Sequence, residues 1–489
     1  MSQRPSTRRS LISGSTYALA NAAQRALVFL LLPLYTTVLS SAEYGRLGLL
    51  LTLQTGAVVV LTAGMDNGVI REYFQREGDP QAQRQFILTS WNFLIWSSLG
   101  IAGLVAVVLI AFSPSSPVFH PAEGALAVGV AAVFVGATVV PLTVLRAEQR
   151  LKDYLILTAV AGISNTILAL LFVVVLRLGV SGWLAASLIA NGMTLAAGFI
   201  VVPWGRTTRP DQRGLRAALK LGLPLVPHAA SGWSLQLADR IILASLVSVS
   251  SLGVYTLGAN LSLPALVLLQ GLNMGFLPSY ARSHVNPEAV EDLRNSVTLQ
   301  IILTLLIGCS LSLLGPPIVG LLASAYAGAG VLVPWIVLGY VFLGLYFIPM
   351  NVISMVVGRT SFVWVMTLTA ALTNIGSIYL LVPSHGILGA AVASAIGYLV
   401  LLVLVSLYAR RFDVRASIDW KKILPMTCAV GATFAVGAIC LPSTGAGGLA
   451  TRLALLLTLP LTLALAGGVR PNGALEQARQ IRSRMRASA

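Results

Sequence analysis

Four polar side chains share one stripe of an otherwise apolar segment near the N-terminus. In "YALANAAQRALVFLLLPLY", residues 17–35, Tyr17, Asn21, Gln24 and Arg25 stand at spacings that a helix brings to a single face. A guanidinium stays charged at any physiological pH, and its planar fork of donors matches phosphate or carboxylate oxygens in pairs. The two amides and the phenol add donors and acceptors suited to sugar or phosphate oxygens. The chemistry of the set is anion binding. Holding an arginine at mid-span costs about 2.5–3.5 kcal/mol on insertion scales, so such a residue faces a bundle interior or a water-filled cavity. The competing structural reading is an ion pair that locks two helices together.

A second polar group stands in "LQLADRIIL", where Asp239 and Arg240 lie about two thirds of the way along another apolar segment. Neighbours on a continuous helix point about 100° apart, so the two are not expected simply to neutralise each other. Arg240 is then a second anion contact. Asp239, Asp66 and His228 are candidates for cation coupling, to H+ or Na+, or for an ion pair. His228 and Ser231 fall on roughly the same stripe as Asp239, and an imidazole with a reference pKa near 6.5 can handle protons; a satisfied core histidine fits equally well. Asp66, in "GMDNGVIREY", could pair with Arg25, whereas Arg71 is close enough to the segment's end to snorkel. Asn165, Asn191, Asn260, Asn351 and Asn374 read as interhelical hydrogen-bonding groups. There is no G-x-x-x-x-G-K-[ST], no H-E-x-x-H and no Cys/His cluster. Cys309, Cys428 and Cys440 lack C-x-x-C spacing and are expected as small core residues. Catalytic residues, cofactors and metal ligands are therefore not expected.

The elements that must position these groups follow from composition. The chain has 489 residues, 56% hydrophobic and 10% charged, with a mean hydropathy of +0.85. Soluble domains carry about 25% charged residues. Apolar runs long enough to cross a ~30 Å hydrocarbon core recur throughout. Fourteen spans are expected, near 11–40, 45–70, 87–112, 124–145, 154–177, 180–204, 221–248, 252–280, 297–323, 329–357, 362–383, 386–408, 423–441 and 450–468. The first is too long for a secretory h-region and is expected to stay. The net charge of +16 would suggest nucleic acid in a soluble protein, but its distribution argues against that partner. With the N-terminus inside, 27 of the 32 Lys and Arg fall in cytoplasmic segments, as the positive-inside rule requires. Both termini are then cytoplasmic. Arg46, Arg177 and Arg452 fall on the opposite side, and the basic tail "EQARQIRSRMRASA" is placed to rest on anionic lipid headgroups.

The chain also repeats itself at an offset close to 208. "EYGRLG" (43–48) answers "SLGVYTLG" (251–258), pairing Gly45 with Gly253. "GMDNGVIREY" answers "GLNMGFLPSY", pairing Asp66 with Asn273 and Tyr73 with Tyr280. "GVSGWLAAS" answers "GILGAAVAS". Each half holds six spans and starts on the same side, so the repeats are parallel, a plan in which substrate binds at the repeat interface. The expected architecture is all-α and polytopic, with two six-helix lobes around a central cavity. Residues 1–210 form one lobe and 211–412 the other; 413–468 add a helix pair and 469–489 a basic cytoplasmic tail.

The quoted segments "YALANAAQRALVFLLLPLYTTVLSSAEYGRLGLL", "GMDNGVIREYF", "LRAEQRLKDY" and "LKLGLPLVPHAASGWSLQLADRIIL", in this order and spacing, resemble the polysaccharide transporter (Wzx-type oligosaccharide flippase) family of the multidrug/oligosaccharidyl-lipid/polysaccharide exporter superfamily. The resemblance runs over essentially the whole chain. It implies two lobes facing each other around a cationic cavity. It also implies transport of a polyprenyl-diphosphate-linked oligosaccharide across a bacterial inner membrane for O-antigen, capsule or exopolysaccharide assembly, alongside polymerase or export machinery. Fourteen spans are also similar to the lipid II flippase branch, whose last two helices form a groove for the lipid tail. A multidrug exporter of the same superfamily would favour carboxylates deep in its cavity. A membrane enzyme acting on lipid-linked sugars would need more than the single histidine and carboxylate of "SPSSPVFHPAEG". The expectation is a transporter and not an enzyme.

Overall fold

A computed structural model describes residues 31–113, 120–202, 209–285, 290–322, 324–360, 362–412, 420–442 and 445–466. The elements are α1 (Leu32–Val38), α2 (Ser41–Leu61), α3 (Met65–Gln75), α4 (Pro80–Phe112), α5 (Pro121–Ala147), α6 (Leu151–Ala169), α7 (Gly179–Val201), α8 (Gln212–Gly222), α9 (Val226–Leu237), α10 (Asp239–Leu246), α11 (Val249–Val285), α12 (Val290–Val319), α13 (Ala329–Asn351), α14 (Val363–Ala409), α15 (Trp420–Ile439) and α16 (Gly445–Ala466). Among the described residues there is no strand, and nine helices are long and apolar enough to cross a membrane. One of them, Val363–Phe412, has 50 residues. At 1.5 Å per residue that is more than twice a hydrocarbon core. Gly386, with φ +57° and ψ −142°, divides it into two crossings. Together with α9–α10 and the shorter apolar helices Ile423–Ile439 and Gly445–Leu459, these elements fall on the expected spans two to fourteen. The protein is an all-α, multi-pass membrane protein.

Local chemistry sets the ends. Ser40 and Glu43 form a capping box at the start of α2, with Glu43 N–H donating to Ser40 Oγ at 3.2 Å and Ser40 N–H to Glu43 Oε2 at 2.9 Å. Asp79 accepts from Gln81 and Ala82 N–H ahead of Pro80, which needs no N–H partner at a first helical turn. Prolines 141, 264, 278, 334, 349 and 383 sit inside helices, which a bundle tolerates where neighbours satisfy the freed backbone.

The chain forms two compact units, Met1–Thr256 and Leu257–Ala489. In the first, α4, α5 and α7 pack around Trp91, whose indole N–H donates to the Gly136 carbonyl at 2.7 Å. Helix α2 meets the start of α11 through glycine. A Cβ on Gly253 would collide with the Ser41 carbonyl oxygen, and one on Gly45 with that of Val249. The two glycines aligned by the duplication therefore touch, with reciprocal partners.

In the second unit α15 and α16 pack on α12. Arg452 is buried in α16 and donates from Nη1 to the Leu313 carbonyl at 2.8 Å. The reason is the pair Pro316–Pro317 in α12: the residue four ahead of Leu313 has no N–H to give. Cys309 lies in the same apolar cluster with Val430 and Leu459, but Cys428 and Cys440 are exposed, against the expectation of three core cysteines. A cysteine is small and apolar enough to sit on an outward helix face as well as inside.

With Cys428 and Cys440 replaced by Ser, Cys309 should resist a membrane-permeant maleimide in the otherwise native chain. Arg452→Ala, by orphaning the Leu313 carbonyl, should loosen the α16 contact and raise labelling of Cys309 at least several-fold. Unchanged labelling would show that apolar packing alone holds the pair.

Candidate functional site

The most buried ion pair in the first unit forms where span seven is interrupted. Helix α9 ends at Leu237 and α10 begins at Asp239, with Ala238 at φ −66° and ψ −18° between them. The short Asp side chain competes for backbone donors at the junction. Asp239 Oδ1 accepts the Arg240 backbone N–H at 2.8 Å and Arg240 Nη1 at 3.3 Å. The hydroxyl of Tyr255, on α11, donates to Oδ2 in a short hydrogen bond. Asp239 is 6% and Arg240 5% exposed. The expected separation of the two charges on a continuous helix does not hold, because the helix is not continuous there and the carboxylate turns onto its neighbour. Arg240 is occupied by a counter-ion in this arrangement.

Asp66 and His228 are brought to no such group. Asp66 is exposed in the first turn of α3, after Gly64 at φ +64°, and His228 is exposed in the first turn of α9. Neither has a hydrogen-bond partner among the described residues. Ser231 turns back to the Pro227 carbonyl at 2.8 Å. Tyr17, Asn21, Gln24 and Arg25 lie outside the described residues.

Two further networks close the ends of the first unit. At one end Arg46 donates from Nη2 to both oxygens of Glu123, at 2.6 and 2.7 Å, and Ser181 donates to the same carboxylate at 3.2 Å. At the other, Arg76 reaches Asp211 from Nε at 2.9 Å and Glu72 from Nη1 at 2.9 Å, over the Phe86 ring at 4.6 Å. Arg150 holds Asp153 at 2.8 Å and Glu148 at 3.2 Å. Burial works against its charge, yet those two carboxylates outweigh it and hold the guanidinium above its ordinary value. In the second unit the polar cluster is uncharged: Asn351 Nδ2 and Gln300 Nε2 donate to Asn273 Oδ1 at 2.7 and 3.3 Å, and Tyr280 donates to Gln300 Oε1 at 2.9 Å.

A cavity of about 380 Å³ in the first unit is lined by apolar groups, among them Gly56, Val60, Ile101, Val128, Ala230 and Trp233. It offers nothing to a charged ligand. Among the described residues no group of three or more His, Cys, Asp or Glu could hold a metal ion. Sequence reasoning did not reach Tyr255. The signal was present in the duplication, which sets Tyr255 against Leu47: a phenol in one copy stands where the other has plain hydrocarbon.

A model of the family described as polysaccharide biosynthesis protein matches residues 11–284. No curated protein matches the chain. Among solved structures the chain is similar to the lipid II flippase MurJ in an inward closed conformation, at 12% identity and a TM-score of 0.73, covering 92% of this chain and 97% of that one. A multidrug resistance MATE family transporter of the MOP superfamily is similar in its inward-facing conformation at 16% identity and TM-score 0.64, covering 80% and 94%. Its outward-facing counterpart gives 17% identity and 0.55, covering 83% and 93%. These TM-scores establish a shared fold.

The Asp239 group yields a stability test. Asp239→Ala leaves Arg240 buried and unpaired and should cost about 3–5 kcal/mol, seen as a sharp fall in the thermal midpoint of the purified protein in detergent. The double variant Asp239→Leu/Arg240→Met removes both charges and should recover most of the loss. Equal damage from both variants would mean that the pair does not hold this junction.

Proposed function

The chain belongs to the polysaccharide biosynthesis protein family, and from that membership we propose that it is a flippase for polyprenyl-diphosphate-linked oligosaccharide. It acts in the bacterial inner membrane with both termini cytoplasmic, and serves surface polysaccharide assembly. The observation that carries this reading is the family match over residues 11–284, which includes the Tyr17–Arg25 stripe. The likeness to a lipid II flippase over 92% of the chain supports it. Nothing in the proposed process needs a covalent step, so the chain is read as a carrier and not an enzyme.

In this mechanism Arg25 receives the diphosphate, because a guanidinium fork pairs with phosphate oxygens more strongly than a neutral donor does. Asn21, Gln24 and Tyr17 bond the remaining phosphate or sugar oxygens. Arg240 is a second anion contact that the substrate gains only by displacing Asp239. The displaced carboxylate, with Asp66 and His228, is the proposed point of coupling to a cation. Alternating access then moves the headgroup across the membrane while the prenyl chain stays in hydrocarbon.

In a strain lacking this protein, Arg25→Ala should fail to restore surface glycan and should accumulate lipid-linked precursor at normal membrane abundance. Arg25→Lys should restore part of the export, since it keeps the charge and loses the fork. Normal export by both variants would remove Arg25 from the site.

A further inference from the structure

Helix α8 is attached to the first unit in a way that fixes which side it shows. Its N-cap, Asp211, accepts from Gly214 N–H at 2.8 Å and from the Arg76 fork, while the Asp211 N–H donates to Thr89 Oγ1 at 3.0 Å. Its C-terminal end meets backbone with backbone: a Cβ on Gly222 would collide with the carbonyls of Ala63 and Gly64, and one on Gly68 with that of Ala218. Leu215, Ala218 and Gly222, three and four residues apart, are buried by this docking. Pinned at both ends, the helix cannot roll.

The opposite stripe is Arg213, Arg216 and Lys220, at the same helical spacing, and all three are exposed. None of them enters an ion pair among the described residues. The level of the stripe is set by its anchors. Arg76 directly follows the span Ser41–Gln75, and Thr89 stands near the start of the span Pro80–Phe112. Immediately after α8 the chain exposes Leu223 (53%) and Leu225 (40%) before entering α9. Three cations at the edge of the spans, followed at once by exposed leucines, match a helix lying in the headgroup layer with its apolar neighbours dipping into acyl chains. The side is the one on which Lys and Arg concentrate, where the positive-inside rule puts the cytoplasmic leaflet.

We propose that the exposed face of α8 is a binding site for the phosphate headgroups of anionic phospholipids, with Arg213, Arg216 and Lys220 as its contacts. The occupant is a bulk membrane lipid, chosen because the three charges line one helix face at the membrane edge. The anion site of a carried substrate must instead follow it across. This site does not depend on the flippase reading, and it is separate from the basic C-terminal tail.

The test uses the full chain in detergent with equimolar phosphatidylglycerol and phosphatidylcholine, scored by native mass spectrometry. Each cation near an anionic surface is worth about fivefold in lipid preference. The native chain should retain phosphatidylglycerol in preference. Arg213→Gln/Arg216→Gln/Lys220→Gln should reduce the ratio by about tenfold or more, while Arg213→Lys/Arg216→Lys should keep it. Arg482→Gln/Arg484→Gln/Arg486→Gln, in the tail, should leave the α8 preference in place. An unchanged ratio in the triple glutamine variant, or loss in the tail variant alone, would overturn the assignment. So would displacement of bound phosphatidylglycerol by a stoichiometric polyprenyl diphosphate, which would make the stripe a substrate site.

Discussion

Hydrocarbon offers no hydrogen bonds, so polar groups carried into the spans gain by finding partners within the protein. That constraint accounts for the form of the polar groups seen here. Asp239 accepts from its neighbour's backbone, its neighbour's guanidinium and a phenol. The Leu313 carbonyl, deprived of its helical donor by Pro317, is reached by an arginine from 139 residues away in sequence. The amides of Asn273, Gln300 and Asn351 bond one another. In water each of these atoms could default to solvent. In a bilayer each becomes a tie between helices, and the interruption of a helix becomes a place where a side chain is required.

The same solvent removes the usual drive for helices to associate, since lipid tails are as apolar as leucine. Contact then relies on shape, and small residues let backbones approach. Gly45 and Gly253 do this for α2 and α11, and Gly64, Gly68 and Gly222 do it for α3 and α8. The first pair has added meaning because the two positions are equivalent in the duplication. Gly45 faces Val249 and Gly253 faces Ser41, residues that also correspond at the offset of 208. Reciprocal contact of this kind is the signature of a self-complementary patch, which explains why glycine is present in both copies: a side chain in either one meets the other's backbone.

Most of the span boundaries were legible because they are written in local chemistry. Apolar length gives the crossing, and Ser40/Glu43, Asp79–Pro80 and Asp211 mark starts by capping. The interruption at Gly386 falls at the boundary expected between spans 362–383 and 386–408, even though the helix runs on around it. The break at Ala238 was not legible, since alanine is the best of helix formers and nothing apolar changes there. Its cause is the following aspartate, whose partner Tyr255 is 16 residues away. The role of Arg452 was not legible for the same reason: it depends on a carbonyl in another helix. The Tyr17–Arg25 stripe was readable as chemistry, but the residues around it are not among those described.

At positions that align between the two halves of the sequence, polar chemistry differs. Asp66 and Asn273 are equivalent positions, yet the carboxylate is exposed while the amide belongs to a partly buried cluster. Tyr73 reaches Glu148 at 3.4 Å, whereas Tyr280 is bonded to Gln300. Six ion pairs run between described residues of the first unit, and the interior cluster of the second is built from neutral amides and a phenol. A neutral cluster satisfies its own bonds without the desolvation cost of charge, so it can fix helices and needs no counter-ion. A charged group can be exchanged for a charged ligand or a proton. The six ion pairs draw on both halves of the sequence, Asp239–Arg240 within the second and Arg76–Asp211 joining the two, so charge is not the property of one copy.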